Sequence, residues 1–126
     1  MKDYQREDDM KKLQLNFKNN LISVLEYIAS SEKSQFYQSQ IPFMILGEEL
    51  YEQWHSISYV RDKEWFQSIF NESEKRAIWD FDKIFNEFYQ LGNDNVIRDT
   101  NMLLMNKDWK IIQSKAQDVL RVVLQS

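Results

Sequence analysis

The residues able to carry out chemistry are few, because the chain has one histidine, His55, and no cysteine. A Cys-His pair is therefore excluded, and a Ser-His-Asp triad would have to be built around that single imidazole. Glu52 and His55 have the Glu-x-x-His spacing with which one helix offers a carboxylate and an imidazole to a metal ion. Di-iron carboxylate proteins use this motif twice, and a second histidine does not exist here. We expect His55 to be a partly exposed residue at the edge of a helix face, and we predict neither a metal site nor a cofactor.

Adjacent carboxylates are the other possible source of chemistry. They occur as Glu48 with Glu49, Glu72 with Glu74, and Asp80 with Asp82. General acid-base catalysis needs burial or a neighbour that separates the two pKa values, and each pair has a polar context that predicts solvation. Gly47 and Gly92 are the only glycines, so the chain has no glycine-rich loop to bind a phosphate or a dinucleotide. The sequence therefore favours a protein that is not an enzyme.

A stripe of four residues flanks a predicted buried helix face and is the best candidate for a binding site. We call it the α5 stripe, after the predicted helix of residues 70–92, which is labelled α5 throughout: Trp79, Asp82, Asn86 and Tyr89. Trp and Tyr are favoured anchors at the centres of protein interfaces, and an acidic neighbour steers a basic partner. The alternative is that these residues only widen the contact with the core.

The helix that positions this stripe has both of its ends marked in the sequence. Asn71 can cap its start, Glu74 completes a capping box, and Gly92 supplies the left-handed residue that often ends a helix. Apolar residues recur between them at the helical period, and the predicted buried face consists of Ala77, Ile78, Phe81, Ile84, Phe85, Phe88 and Leu91.

Three further main helices are predicted from periodicity and helix-start signals. The first runs from about Asp8 to Ala29, with Met10, Leu13, Phe17, Leu21, Val24, Leu25 and Ile28 on one apolar face. The next begins at Pro42 and ends near Ser58, with Phe43, Leu46, Leu50, Trp54 and Ile57 buried. The last runs from about Lys107 to Leu124 and buries Trp109, Ile112, Ala116, Val119, Leu120 and Val123.

The segments between these helices are predicted to be less regular. Residues 30–40 are polar and serine-rich and read as a connection, with a short helical turn near Phe36 and Tyr37. Residues 59–69 lack long periodicity, and residues 63–68 are predicted to form a loop or a single helical turn that delivers Trp65 or Phe66 to the core. Residues 93–105 read as a short helix or a tucked loop.

Composition supports an all-α fold in which residues 1–126 form a single domain, a compact bundle of about four main helices with one or two short extra helical turns. Two glycines and one proline in 126 residues are too few for a protein built of strands and tight turns.

The formal net charge of −4 opposes phosphate backbones and anionic lipids, so we predict no nucleic-acid and no membrane partner. The longest apolar run, residues 41–46, is far shorter than a membrane span, and residues 1–12 lack the apolar region of a secretory signal. We therefore expect a cytoplasmic protein.

Residues 50–124 resemble a group of small bacterial helical proteins in the order of their features. The matching residues are a mid-helix Trp54, a helix start at Phe70 with Glu74, the run from Ala77 to Asp82, and a last helix with Trp109, Ala116 and Leu120. Such proteins are similar to the immunity partners of secreted bacterial toxins, including those of contact-dependent growth inhibition. The chain departs from the pattern at His55, where an acidic residue is usual, and residues 1–49 are not covered.

The resemblance implies a cytoplasmic immunity protein that neutralises its cognate toxin by direct binding. The acidic balance and the α5 stripe are compatible with a partner that has a basic surface. A metal-binding or small-molecule-binding helical bundle is the alternative, and the sequence does not fix the oligomeric state.

Overall fold

The computed structural model describes residues 2–58 and 63–125, and for residues 2–6 it describes the backbone alone. Helices make up 88% of the chain, and no strand is present in the described ranges. The all-α prediction is confirmed. The described residues form eight helices: α1 (Lys2–Ala29), α2 (Ser31–Gln40), α3 (Leu46–Ser58), α4 (Glu64–Ile69), α5 (Glu72–Gln90), α6 (Asp94–Arg98), α7 (Thr100–Met105) and α8 (Lys107–Gln125).

The four longest elements that follow the predicted pattern are α1, α3, α5 and α8, so the expected main helices exist. The expected number of about four is too small, because the segments read as connections are themselves helical. Residues 31–40 form a complete helix, since the Ser30 side chain accepts a hydrogen bond from the Lys33 amide and caps it. Residues 93–105 contain two short helices. Part of the predicted irregular stretch 59–69, residues 59–62, lies outside the described residues.

Helix α5 begins and ends as its sequence predicts. The Asn71 side chain accepts a hydrogen bond from the Glu74 amide at 2.8 Å, and the Glu74 carboxylate accepts one from the Asn71 amide at 2.9 Å. This reciprocal pair is a capping box, and it satisfies two amides that would otherwise lack a partner. Gly92 has φ +79°, a left-handed conformation that only glycine adopts without strain. Both end signals are confirmed.

The core is a single cluster to which α3, α5 and α8 contribute large aromatic side chains. Phe81, Phe85, Trp54 and Trp109 are at most 1% exposed. Helix α8 packs against α1, and near the end of α1 Gln117 donates to the Ala29 carbonyl while Gln113 donates to the Ser31 hydroxyl of α2. From α4, Phe66 is buried and its ring packs edge-on against Phe17, as predicted for that turn.

Four residues predicted to be buried are exposed instead. Leu91 is 77% exposed, because it follows Gln90, the last residue of α5. Met10 is 48% exposed and Leu13 is 64% exposed, because α1 is about 42 Å long and its first half extends past the core. Phe43 is 98% exposed, so its predicted burial is wrong. The reason is that α3 begins at Leu46, and residues 41–45 form a turn ahead of it instead of the first helical turn expected from Pro42.

In the described part of the chain, no helix combines the length and the apolar character needed to cross a membrane.

Gly47 allows the start of α3 to lie directly against α6. A Cβ atom on Gly47 would stand 2.5 Å from the Ile97 carbonyl oxygen and 2.8 Å from a methyl group of the same residue. Real Cβ atoms do not come this close to a backbone atom, so α6 would have to move. Gly47 is therefore required at this position for the contact between the two helices.

We expect Gly47→Ala to lower the free energy of unfolding by roughly 1–3 kcal/mol, because it overpacks this contact. The measurement is chemical denaturation followed by tryptophan fluorescence. Gly92→Ala is a matched control, since a Cβ there meets no atom within 4 Å and its cost comes only from the positive φ. A free energy of unfolding for Gly47→Ala equal to that of the parent would show that α3 and α6 are not in contact.

Candidate protein-binding surface

The four residues of the α5 stripe do not share one environment. Trp79 is 39% exposed and presents part of its indole to solvent, whereas Asp82 is only 4% exposed. The Asp82 carboxylate accepts hydrogen bonds from the Trp54 indole N–H at 2.8 Å and from the Asn86 amide at 3.0 Å. The steering role of Asp82 stays a prediction that this burial does not favour, because the carboxylate joins α3 to α5 inside the protein.

The other two members of the stripe are half-buried. The Asn86 side chain is turned back along α5, where it also donates to the Asp82 carbonyl at 2.9 Å. The Tyr89 hydroxyl donates to the Gly47 carbonyl, which fixes the start of α3 against the end of α5. Burial raises the pKa of the Tyr89 phenol above its usual range, and the nearby Tyr51 and Glu48 contribute to the rise. The phenol therefore remains a protonated donor at neutral pH.

A groove of about 350 Å³ lies beside Tyr89, between α3, the end of α5 and α6. We call it the α3–α6 groove. Its lining residues are Glu48, Tyr51, Glu52, Tyr89, Gln90, Asp94, Ile97 and Arg98. Aromatic rings and an aliphatic side chain thus lie beside three carboxylates and one guanidinium. This combination suits the apolar stem and the charged end of a lysine or arginine side chain.

The charge around the α3–α6 groove is predominantly negative. Helix α3 carries Glu48, Glu49 and Glu52, and neither Lys nor Arg occurs between Lys33 and Arg61 in the sequence. Arg98 is 3.9 Å from the Glu48 carboxylate, and both side chains are more than half exposed. A pair at that distance and exposure contributes little energy, so it does not prevent Glu48 from pairing with an incoming cation.

Tyr51 connects the groove to the core through a continuous series of rings. Its ring lies 4.5 Å from that of Tyr89 and 6.2 Å from that of Phe85, between centroids. On the outer side, the exposed His55 ring stacks on Tyr51 with an interplanar angle of 11°. These contacts limit the movement of Tyr51, so that little conformational entropy would be lost when a partner binds to it.

Glu52 and His55, the Glu-x-x-His pair, are both exposed on α3. Across the described ranges, no group of three or more His, Asp or Glu side chains is placed to hold a metal ion.

Two other concave regions differ from the α3–α6 groove in their chemistry. The larger one, about 560 Å³, lies between α5 and α8, and its charged residues have both signs: Asp80, Lys83, Glu87, Lys115 and Asp118. Opposite charges that alternate in this way do not produce a strong potential of one sign. A smaller cavity of about 230 Å³ lies between α1, α2 and α3 and is lined by uncharged residues that include Asn20, Ser23, Tyr27, Tyr37 and Gln53. The α3–α6 groove has the most consistent negative charge of the three.

Sequence reasoning placed Tyr89 in the site but did not find its neighbours from α6. Asp94, Ile97 and Arg98 lie in a stretch without clear periodicity, and nothing in their spacing indicates contact with α3. The absence of Lys and Arg from residues 34–60 is a sequence signal that could have drawn attention to the acidic face of α3.

Comparisons with protein-family models, with curated proteins and with solved structures find no match to this chain.

Proposed function

We propose that this chain is a non-enzymatic protein-binding module that neutralises a cognate bacterial toxin as its immunity partner in the cytoplasm. The observation that carries the proposal is the α3–α6 groove, where Glu48, Glu52 and Asp94 surround the rings of Tyr51 and Tyr89. The toxin is proposed from the pattern of Trp54, Glu74, the run 77–82 and Trp109. In this proposal the four long helices form a bundle that supports the groove, and no cofactor takes part.

The binding surface is revised from the α5 stripe to a broader area. Trp79 remains a proposed aromatic anchor, because its indole is exposed. It lies ten residues before Tyr89, or about 15 Å along α5. Asp82 joins α3 to α5 through Trp54, and Asn86 donates to Asp82, so both are assigned a supporting role. The steering charges come instead from Glu48, Glu52 and Asp94, and the partner is expected to present lysine or arginine side chains to them.

The proposal is tested first by co-expression with the product of the neighbouring gene. Protection of the host cell and co-purification of the two proteins support an immunity function. A neighbouring product that is toxic but is neither bound nor neutralised would refute it.

We expect the double variant Glu48→Gln and Glu52→Gln to associate with that partner more slowly, by roughly threefold to tenfold at low salt. The reason is that rim charges act mainly on the rate of encounter, and ions screen their long-range field. The measurement is the association rate constant at two salt concentrations, together with the melting temperature of the variant.

The matched control is the double variant Asp80→Asn and Glu87→Gln, which removes the same charge from the groove between α5 and α8. It should reduce the association rate much less. Equal rates for the two double variants would mean that net charge, and not the α3–α6 groove, attracts the partner.

A further inference from the structure

Phe43 is the most exposed large apolar side chain in the described residues, at 98%. The adjacent Met44 is 53% exposed. Both lie in the turn 41–45, which directly precedes α3, and the first turn of α3 carries Glu48 of the α3–α6 groove. Neither side chain contributes to the core, so burial within the fold does not explain their types.

The turn that carries Phe43 is held in place by one side chain, Gln38. Its amide nitrogen donates to the Ile41 carbonyl at 3.1 Å and to the Met44 carbonyl at 2.8 Å. Its amide oxygen accepts from the Leu46 N–H at 3.1 Å and from the Thr100 hydroxyl at 2.9 Å. Gln38 thereby joins the end of α2, the turn, the start of α3 and the start of α7.

Backbone contacts add to this restraint. The Met44 amide donates to the Ile41 carbonyl at 3.0 Å, which closes the turn. Immediately after the turn, Gly47 lies against Ile97 and receives the hydrogen bond from Tyr89. An apolar side chain on a turn held from both ends is pre-organised, so little entropy is lost when a partner encloses it.

The chemistry of the segment restricts what can bind to it. Residues 34–47 contain no charged side chain, and Gln38 already occupies the Ile41 and Met44 carbonyls and the Leu46 amide. The turn therefore offers apolar contact rather than ion pairs. An anionic membrane is a poor match, since Glu48 and Glu49 follow directly and residues 34–60 contain neither Lys nor Arg.

We propose that Phe43, with Met44 beside it, inserts into an uncharged apolar pocket of the cognate protein partner, adjacent to the basic surface that contacts the α3–α6 groove. This inference rests on the proposed function and adds to it a second contact of different chemistry. Fully enclosed aromatic side chains are typical binding hot spots, whereas charges at the rim act mainly on the encounter. Phe43 therefore acts on dissociation, while Glu48 and Glu52 act on association.

The test compares Phe43→Ala with Leu124→Ala, a control that truncates another large exposed side chain, 61% exposed, near the end of α8. The probe is the purified product of the neighbouring gene. Phe43→Ala should weaken its binding by about thirtyfold through faster dissociation, equally at low and high salt. Phe43→Leu should recover part of the affinity. The melting temperature should stay within experimental error of the parent, because the side chain makes no core contact.

The outcomes separate this inference from the proposed function. If the parent binds the partner and Phe43→Ala binds equally well, the pocket is refuted while the proposed function stands. If the parent does not bind, the proposed function fails and the pocket falls with it. Phosphatidylcholine vesicles provide a further arm, since Phe43-dependent binding to them with no effect on the protein partner would assign the turn to a lipid surface and overturn the inference.

Discussion

Replacing Phe81 with Ala should lower the free energy of unfolding by about 3–5 kcal/mol, the largest loss expected from a single truncation in α5. The Phe81 ring is 1% exposed and packs edge-on against Trp54, with ring centroids 4.9 Å apart. It also stacks on the Phe85 ring, with centroids 5.4 Å apart. Truncation removes this burial and leaves a cavity between α3 and α5 that the neighbouring rings cannot fill. Urea denaturation of the purified variant measures the change.

Asn71→Ala is the comparison that makes this result informative. It removes the side-chain acceptor of the capping box in the same helix and should cost about 1 kcal/mol. Asn71 is exposed, so its replacement creates no cavity. A Phe81→Ala variant no less stable than Asn71→Ala would contradict the placement of Phe81 on the buried face.

The sequence predicted α5 well because its signals are local. Hydrogen bonds between residues three apart define the capping box, and the left-handed conformation of Gly92 depends on that residue alone. The predicted buried face was also correct at Ile78, Phe81, Phe85 and Phe88, because a single apolar stripe allows only one orientation of the helix toward the core.

The errors occurred where distant residues determine the structure. Pro42 has the local chemistry of a helix start, but Gln38 and Thr100 hold residues 41–45 in a turn, and Thr100 is distant in sequence. Phe43 was therefore assigned to a helix face that does not exist. The exposure of Met10 and Leu13 is similar in kind, since their spacing continues the buried stripe of α1 beyond the point where the core ends.

In the candidate site, too, local signals in the sequence were informative and contacts between distant residues were not predicted. Trp79 and Tyr89 were found from their spacing on α5, and the α3 residues Glu48, Tyr51 and Glu52 were recognisable as an acidic and aromatic segment. That α6 completes the groove depends on the close approach of Gly47 and Ile97, which single-sequence reasoning cannot supply.

Because Asp82 is buried, replacing it should cause a second large loss of stability. Asp82→Lys should lower the free energy of unfolding by on the order of 3–5 kcal/mol, because it places an ammonium group where a buried carboxylate accepted two hydrogen bonds. The Trp54 indole N–H and the Asn86 amide would both lose an acceptor, and a lysine cannot replace it. Urea denaturation measured by circular dichroism gives the change independently of the altered environment of Trp54.

Asp82→Asn is the matched control, since its amide oxygen can still accept the hydrogen bond from Trp54. It should cost clearly less than Asp82→Lys, because only the charge-assisted part of the interaction is lost. A surface steering charge would give the opposite pattern. In that case both variants would melt like the parent, and Asp82→Lys would only slow association with a partner at low salt. The two measurements together therefore decide whether Asp82 joins α3 to α5, as its hydrogen bonds indicate, or belongs to the binding surface.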